Sequence, residues 1–330
     1  MISSSYDFAG HRIDVAAEAH SHFAGIAAFL RSLSAHDTGS LPEFRIVVRV
    51  GALPLMPDDA RILHSGPIWD EPRAIYAVRG QTRFFLLPDK GHLKIEPSEA
   101  VATITVTPEQ TDCLPGLCTM HAIDAALEAT GQFLLHGAAL TLPDRSGGIF
   151  LHAASGTGKT TTTLRLAFDG MGIFTDDVAV IRRSITSPEI WGLPRDLKVH
   201  KNTAALDPEF AQLVDGDWDR NGEQAVGRDR LVSAGVRVET ARPVPLKAFI
   251  HLVRDAATQL EPTSVKPISR TEALYAVAQD NVRGSDKGVP DFQRSRLSGI
   301  AEIIREIVTL ECRVGYDFKN VTSRLLAPLQ

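Results

Sequence analysis

The chain has 330 residues, 44% of them hydrophobic, with 40 acidic and 35 basic side chains and a formal net charge of −5. That length predicts about two domains with ordinary cores, and the acidic balance, with no dense basic stripe or aromatic-interleaved patch, argues against nucleic acid as a partner. Met1 to Gly25 holds neither a basic start nor a continuous apolar core, and no apolar run approaches the roughly 18 residues of a membrane span, so a soluble cytoplasmic protein with no membrane partner is expected.

Residues 1–110 predict an N-terminal α+β domain rich in antiparallel strands, serving as an accessory or substrate-recognition domain. Val15 to Leu33 has a helical pattern. Phe44 to Val50, Ala74 to Val78, Arg83 to Leu87, His92 to Ile95 and Val101 to Val106 alternate or run apolar between Gly, Pro and Asp. They read as strands of an antiparallel sheet with turns at Gly80-Gln81 and Asp89-Lys90-Gly91. Asp58 and Asp59 follow Pro57 as turn formers. His20 and His22, two positions apart on a helix, do not share a face, so surface histidines are expected rather than a joint metal site. Cys113, Cys118 and Cys312 are odd in number and lack metal-site spacing, so they read as packing thiols.

Residues 111–330 predict a second domain, an α/β phosphate-loop domain with a mixed sheet. A helix from about Met120 to Thr130 leads into a strand, Phe133 to Leu142, that carries His136-Gly137-Ala138. A hairpin through Pro143 to Gly147 joins it to the apolar strand Gly148 to Ala153. Hairpin counting puts His136 opposite residues around Ala153 to Ser155, beside the loop that follows.

That loop, Ala153 to Thr160, reads Ala-Ala-Ser-Gly-Thr-Gly-Lys-Thr and precedes a helical run from Thr161 to Phe168. Strand, glycine loop and helix in this order wrap nucleotide phosphates in backbone N–H groups at the positive end of a helix. Ala154, Ser155, Gly156, Thr157, Gly158, Lys159, Thr160 and Thr161 are the candidate nucleotide-binding residues. Gly156 and Gly158 let the backbone come close, Lys159 puts a point charge on the outer phosphates, and the Thr160 hydroxyl suits magnesium.

An acidic pair, Asp176-Asp177, starts seventeen positions after Lys159. A helix from Lys159 to about Asp169 carries the chain roughly 15 Å away at about 1.5 Å per residue. Gly170 and Gly172 allow a reversal, and a strand from Gly172 to Asp176 returns about 16 Å at roughly 3.3 Å per residue. The carboxylates are therefore expected back at the level of the phosphates.

Beyond the pair, Val178 to Arg182 and Trp191 to Arg195 read as strand and turn, and Arg195 is a candidate to bind a phosphate or an anionic substrate through its planar fork. Asp207 to Arg230 is polar and irregular, a mobile substrate loop or an insertion. Pro245 to Val253 predicts a strand, Arg270 to Ala278 and Arg294 to Thr309 helices, Cys312 to Val314 a strand and Val321 to Leu326 a last helix. Leu297-Ser298-Gly299-Ile300 is only a fragment of a transporter-ATPase signature, which disfavours that class.

The strand His136-Gly137-Ala138, the loop Ser155 to Thr160 and the segment Phe174-Thr175-Asp176-Asp177 resemble the catalytic domain of HPr kinase/phosphorylase and its kinase-like relatives, a fold akin to phosphoenolpyruvate carboxykinase. The resemblance implies ATP and Mg2+ as cofactors, Asp176 as general base toward a serine hydroxyl, and Asp177 beside the metal with Thr160. Lys159, His136 and Arg195 join Asp176 as candidate catalytic residues. The stretch after Arg195 and the N-terminal part differ from HPr kinases proper. They point to relatives that phosphorylate free serine or the serine of a natural-product precursor peptide. A peptide or protein serine kinase, with homo-oligomeric assembly, is the expectation; a small-molecule kinase and a nucleotide-binding regulator or ATPase are the alternatives.

Overall fold

The computed structural model describes residues 1–30, 33, 41–68, 71–110, 114, 116–154, 156–240, 242–255, 258–281 and 290–329. Among the described residues the chain divides into two compact units, one of residues 1–133 with 290–295 and one of residues 134–281 with 296–329.

The first unit contains β1 (Ile2–Phe8), β2 (His11–Ala17), α1 (His20–Leu30), β3 (Phe44–Val50), β4 (Arg61–Ile68), β5 (Glu71–Arg79), β6 (Thr82–Leu87), β7 (Gly91–Glu96), β8 (Val101–Val106) and α2 (Gly116–Ala129). Its eight strands form one sheet in the order β1-β2-β3-β8-β7-β6-β5-β4. The expected turns are present, with Gly80 and Asp89 at positive φ of 60° and 66°.

Three expectations need correction. The sheet is mixed rather than antiparallel, since β3 runs parallel to both β2 and β8. A crossover through α1 returns the chain to the end from which β2 started, which fixes that direction. The helical pattern from Val15 begins inside a strand: Ile13, Val15 and Ala17 are buried with period two. His22 is no surface residue but a buried one, its Nε2 paired with the Gln110 carbonyl. α2 belongs to this unit and packs on β3, β7 and β8.

The second unit begins within β9 (Gln132–His136) and continues through β10 (Ala138–Thr141), β11 (Gly148–His152), α3 (Lys159–Phe168), β12 (Gly172–Thr175), β13 (Val178–Arg183), β14 (Pro188–Gly192) and β15 (Leu197–His200). Next come α4 (Lys201–Ala204), α5 (Pro208–Ala211), β16 (Glu223–Val226), α6 (Arg228–Ser233), β17 (Val244–Val253), β18 (Ser264–Pro267) and α7 (Arg270–Asn281). The chain closes with α8 (Pro290–Glu306), β19 (Val308–Arg313) and α9 (Val321–Leu326).

The main sheet of this unit runs β12-β10-β11-β17-β14-β13-β9, with β19 beside β17 and β18 beside β19. It is mixed: β11 and β17 are parallel, as are β17 and β19, while β10 is antiparallel to β11 and β12. On one face Leu164, Leu166 and Ala167 of α3 pack on Ala138, Leu140, Ile149, Leu151 and Ile250. Each of these leucines and isoleucines contributes about 1.5–3 kcal/mol on full burial, so this face holds α3 against the strand that feeds its N-terminus.

Here too the pattern misled at particular places. The single strand expected over Phe133 to Leu142 is two, broken at Gly137. An ideal Cβ on Gly137 would lie 2.3 Å from the Phe150 ring, so the chain passes there only because glycine has none. Past the break β9 joins β13 instead of β11, and the hairpin counting that set His136 opposite Ala153 to Ser155 does not hold. Asp207 to Arg230 is folded rather than an irregular loop, since Phe210, Leu213 and Val226 anchor it in the core. The last long helix stops at Glu306, and Val308 and Thr309 pair with β17 as strand. Cys118 and Cys312 are buried thiols pushed up to about 12 by burial, as packing residues would be, and Cys113 lies outside the described residues.

Candidate active site

The loop between β11 and α3 has the geometry of an anion cradle. Gly156 and Gly158 have φ of 78° and 94°, a left-handed conformation that side-chain-bearing residues resist. Gly158 is the N-cap of α3 and supplies no side-chain cap, so the first N–H groups of the helix are left without one. Nothing lies within 4 Å of the place a Cβ would take on Gly156, and Ala154 and Gly156 are exposed. Ser155 lies outside the described residues. Thr161 turns its hydroxyl to Thr203, 2.8 Å away in the interior, which leaves it only a backbone N–H to offer.

The helix-out, strand-back path closes as the residue counts require. Gly170, at φ 102°, ends α3, and β12 brings Asp176 to the loop. The Thr160 hydroxyl donates to Asp176 Oδ2 at 2.9 Å, and the Lys159 ammonium donates to the Asp176 carbonyl oxygen. Asp176 is only 4% exposed. Burial pushes its carboxyl up from the ordinary value; Lys159 opposes the shift, the neighbouring Asp177 charge adds to it, and the Thr160 hydroxyl opposes it again.

Asp177 faces the other way. Its Oδ2 accepts from Arg195 Nη1 at 2.6 Å, and its Oδ1 lies 3.5 Å from His136 Nε2. All three side chains are between 35% and 43% exposed, so this cluster is open to a solute where Asp176 is not. Of the two carboxylates implied beside the nucleotide, it is that of Asp176 which meets the Thr160 hydroxyl.

Adjacent carboxylates can diverge in this way because the backbone bends directly after β12. The buried Thr175 hydroxyl accepts from the N–H groups of Asp177 and Val178 at 3.3 and 3.2 Å, a local side-chain turn. The Gly137 N–H holds the Asp177 carbonyl at 3.0 Å. His136 is fixed through its own backbone, whose N–H donates at 2.6 Å to Asn281 Oδ1 on α7, while Arg296 of α8 caps the Leu134 carbonyl. Thr175 and Asn281 carry the site without having stood out in the sequence. Thr175 is one polar residue at the end of an apolar strand, and Asn281 reaches the site from a distant helix.

A comparison with solved structures matches the Hpr(Ser) kinase/phosphatase from Coxiella burnetii over 41% of this chain and 77% of that one, with a TM-score of 0.24 and 18% identity. No family model matches the chain, and no curated protein does.

Proposed function

We propose that this chain is an ATP-dependent kinase that moves the γ-phosphoryl group to a hydroxyl, most directly the serine of a peptide or protein. The reading is carried by one observation: the Thr160 hydroxyl and Lys159 of a left-handed glycine loop converge on Asp176, beside the open cluster of His136, Asp177 and Arg195.

The residues suit the two cofactors such chemistry uses. The uncapped start of α3, the two left-handed glycines and Lys159 make a site for a phosphate chain. Thr160 and the Asp176 carboxylate are the hard oxygen donors a magnesium ion takes. Bound Mg2+ would supply neutralisation of charge on the phosphate oxygens.

The chain's own part is positioning and proton handling. Lys159 offsets negative charge at the outer phosphates. Asp176, sheltered and hydrogen-bonded to Thr160, is assigned to the metal side. Asp177 is assigned to the acceptor: as the acceptor oxygen bonds to phosphorus and the bond to the leaving diphosphate breaks, the hydroxyl proton passes to its carboxylate. A carboxylate is a weak base toward an alcohol, so the proton leaves late, as the oxygen bonds to phosphorus. His136 and Arg195 hold the two Asp177 oxygens and line the acceptor side.

The deciding experiment incubates the protein with Mg2+ and γ-labelled ATP, alone, with serine-bearing peptides and with free serine. Label in peptide supports the reading; label in free serine moves it to a small-molecule kinase; label only in inorganic phosphate rejects a kinase. Asp177→Asn should lower transfer by at least about 100-fold, within the usual range for a lost acid–base group, with ATP affinity retained by calorimetry. Undiminished transfer by that variant would sink the role given to Asp177.

A further inference from the structure

β17 lies parallel to β11, with His251 in register with His152, so both strands end at the same edge of the sheet. After β11 comes the glycine loop. After β17 comes Arg254. An ideal Cβ on Gly158 would stand 3.3 Å from Arg254 Nη1 and 3.8 Å from its Cδ, so the guanidinium and its stem lie along the last glycine of the loop, at the start of α3.

Arg254 is half-buried, and among the described residues no hydrogen bond or ion pair engages it. The carboxylate next to it in sequence is occupied elsewhere: Asp255 Oδ1 accepts from the Thr258 N–H at 2.8 Å. No carboxylate among the described residues offsets this partly desolvated guanidinium, and it leans on a helix start whose own N–H groups lack a side-chain cap. Two positive features side by side with no anion between them point to an anionic ligand. Arg254 differs in this from Arg195, whose charge is already matched by Asp177.

We infer that Arg254 is a phosphate-binding residue of the nucleotide site, gripping the phosphate chain from the β17 side while Lys159 holds it from α3. This rests on the reading that the loop binds ATP. The fork of a guanidinium can give two parallel N–H bonds to one phosphate, which an ammonium cannot.

The test uses the full chain as wild type, Arg254→Ala, Arg254→Lys and Lys159→Ala, titrated calorimetrically with Mg-ATP and with adenosine, alongside thermal melts without nucleotide. Expected is at least a tenfold loss of ATP affinity in Arg254→Ala, partial recovery in Arg254→Lys, no change for adenosine, and a nucleotide-free melt that is not lowered. ATP bound by Arg254→Ala as tightly as by wild type overturns the inference and leaves the nucleotide site intact. Wild type and Lys159→Ala both failing to bind ATP removes the nucleotide site itself, and the inference with it. Should Arg254→Ala fail to fold, Arg254→Lys decides alone: a threefold or greater loss supports the fork, and full affinity refutes it.

Discussion

Asp176 is the residue at which stability and chemistry pull apart. Its carboxyl is pushed up by burial, so ionising it costs more in the folded chain than in the unfolded one. The stability this group contributes is therefore present below the ordinary value near 4 and lost as pH rises through the raised value. Replacing it with Asn removes a buried charge but keeps an oxygen for the Thr160 hydroxyl. Asp176→Asn should thus be as stable as wild type at pH 4 and more stable at pH 8, by up to about 1–2 kcal/mol, in urea melts at the two pH values. Its Mg2+-dependent activity should fall by at least about 100-fold. A variant less stable at the higher pH would contradict the electrostatic account. Thr175 makes the complementary case, since its hydroxyl satisfies two N–H groups of the acidic turn. Thr175→Val keeps the shape and loses the acceptor, and should cost about 1–3 kcal/mol, read by denaturant titration, with a larger proportional loss of activity as the aspartates drift.

At the level of elements, the site depends on close approaches that only glycine permits. Gly192, at the end of β14, faces Thr175: an ideal Cβ there would lie 2.5 Å from the Thr175 Cγ2 and 3.0 Å from the Phe174 Cβ. β14 and the acidic turn can share this space only while Gly192 has no side chain. Gly192→Ala should cost about 1–3 kcal/mol through overpacking and shift Asp176 relative to Thr160, weakening both fold and activity. A fully stable, fully active Gly192→Ala would mean that the turn is not held from this side. The division of Phe133 to Leu142 at Gly137 follows the same physics, with the Phe150 ring in place of Thr175. Both contacts were hidden from a pattern reading, because a strand glycine looks alike whether it is merely tolerated or required.

For the whole molecule, anything that binds the folded chain stabilises it by mass action. Mg-ATP at 100 times its dissociation constant adds about 2.7 kcal/mol, so the thermal midpoint should rise with ATP and remain unmoved in Lys159→Ala. A midpoint indifferent to ATP in the wild type would count against a nucleotide site anywhere on the chain. Among the described residues no helix is long and apolar enough to cross a membrane.

The amino-acid sequence alone determined the features that are local or that follow from counting residues along one chain segment. The glycine loop, α3 and the short return that sets Asp176 against Thr160 all lie within about twenty residues, where rise per residue fixes the outcome. The tertiary structure decided what depends on meetings between distant segments. It split β9 from β10 and so moved His136 from the loop to Asp177, turned the two aspartates to different neighbours, made the first sheet mixed through a crossover, and drew Phe210, Leu213 and Val226 out of an apparent loop into the core. Such meetings depend on packing space and pairing partners, which a linear pattern of polar and apolar residues does not encode.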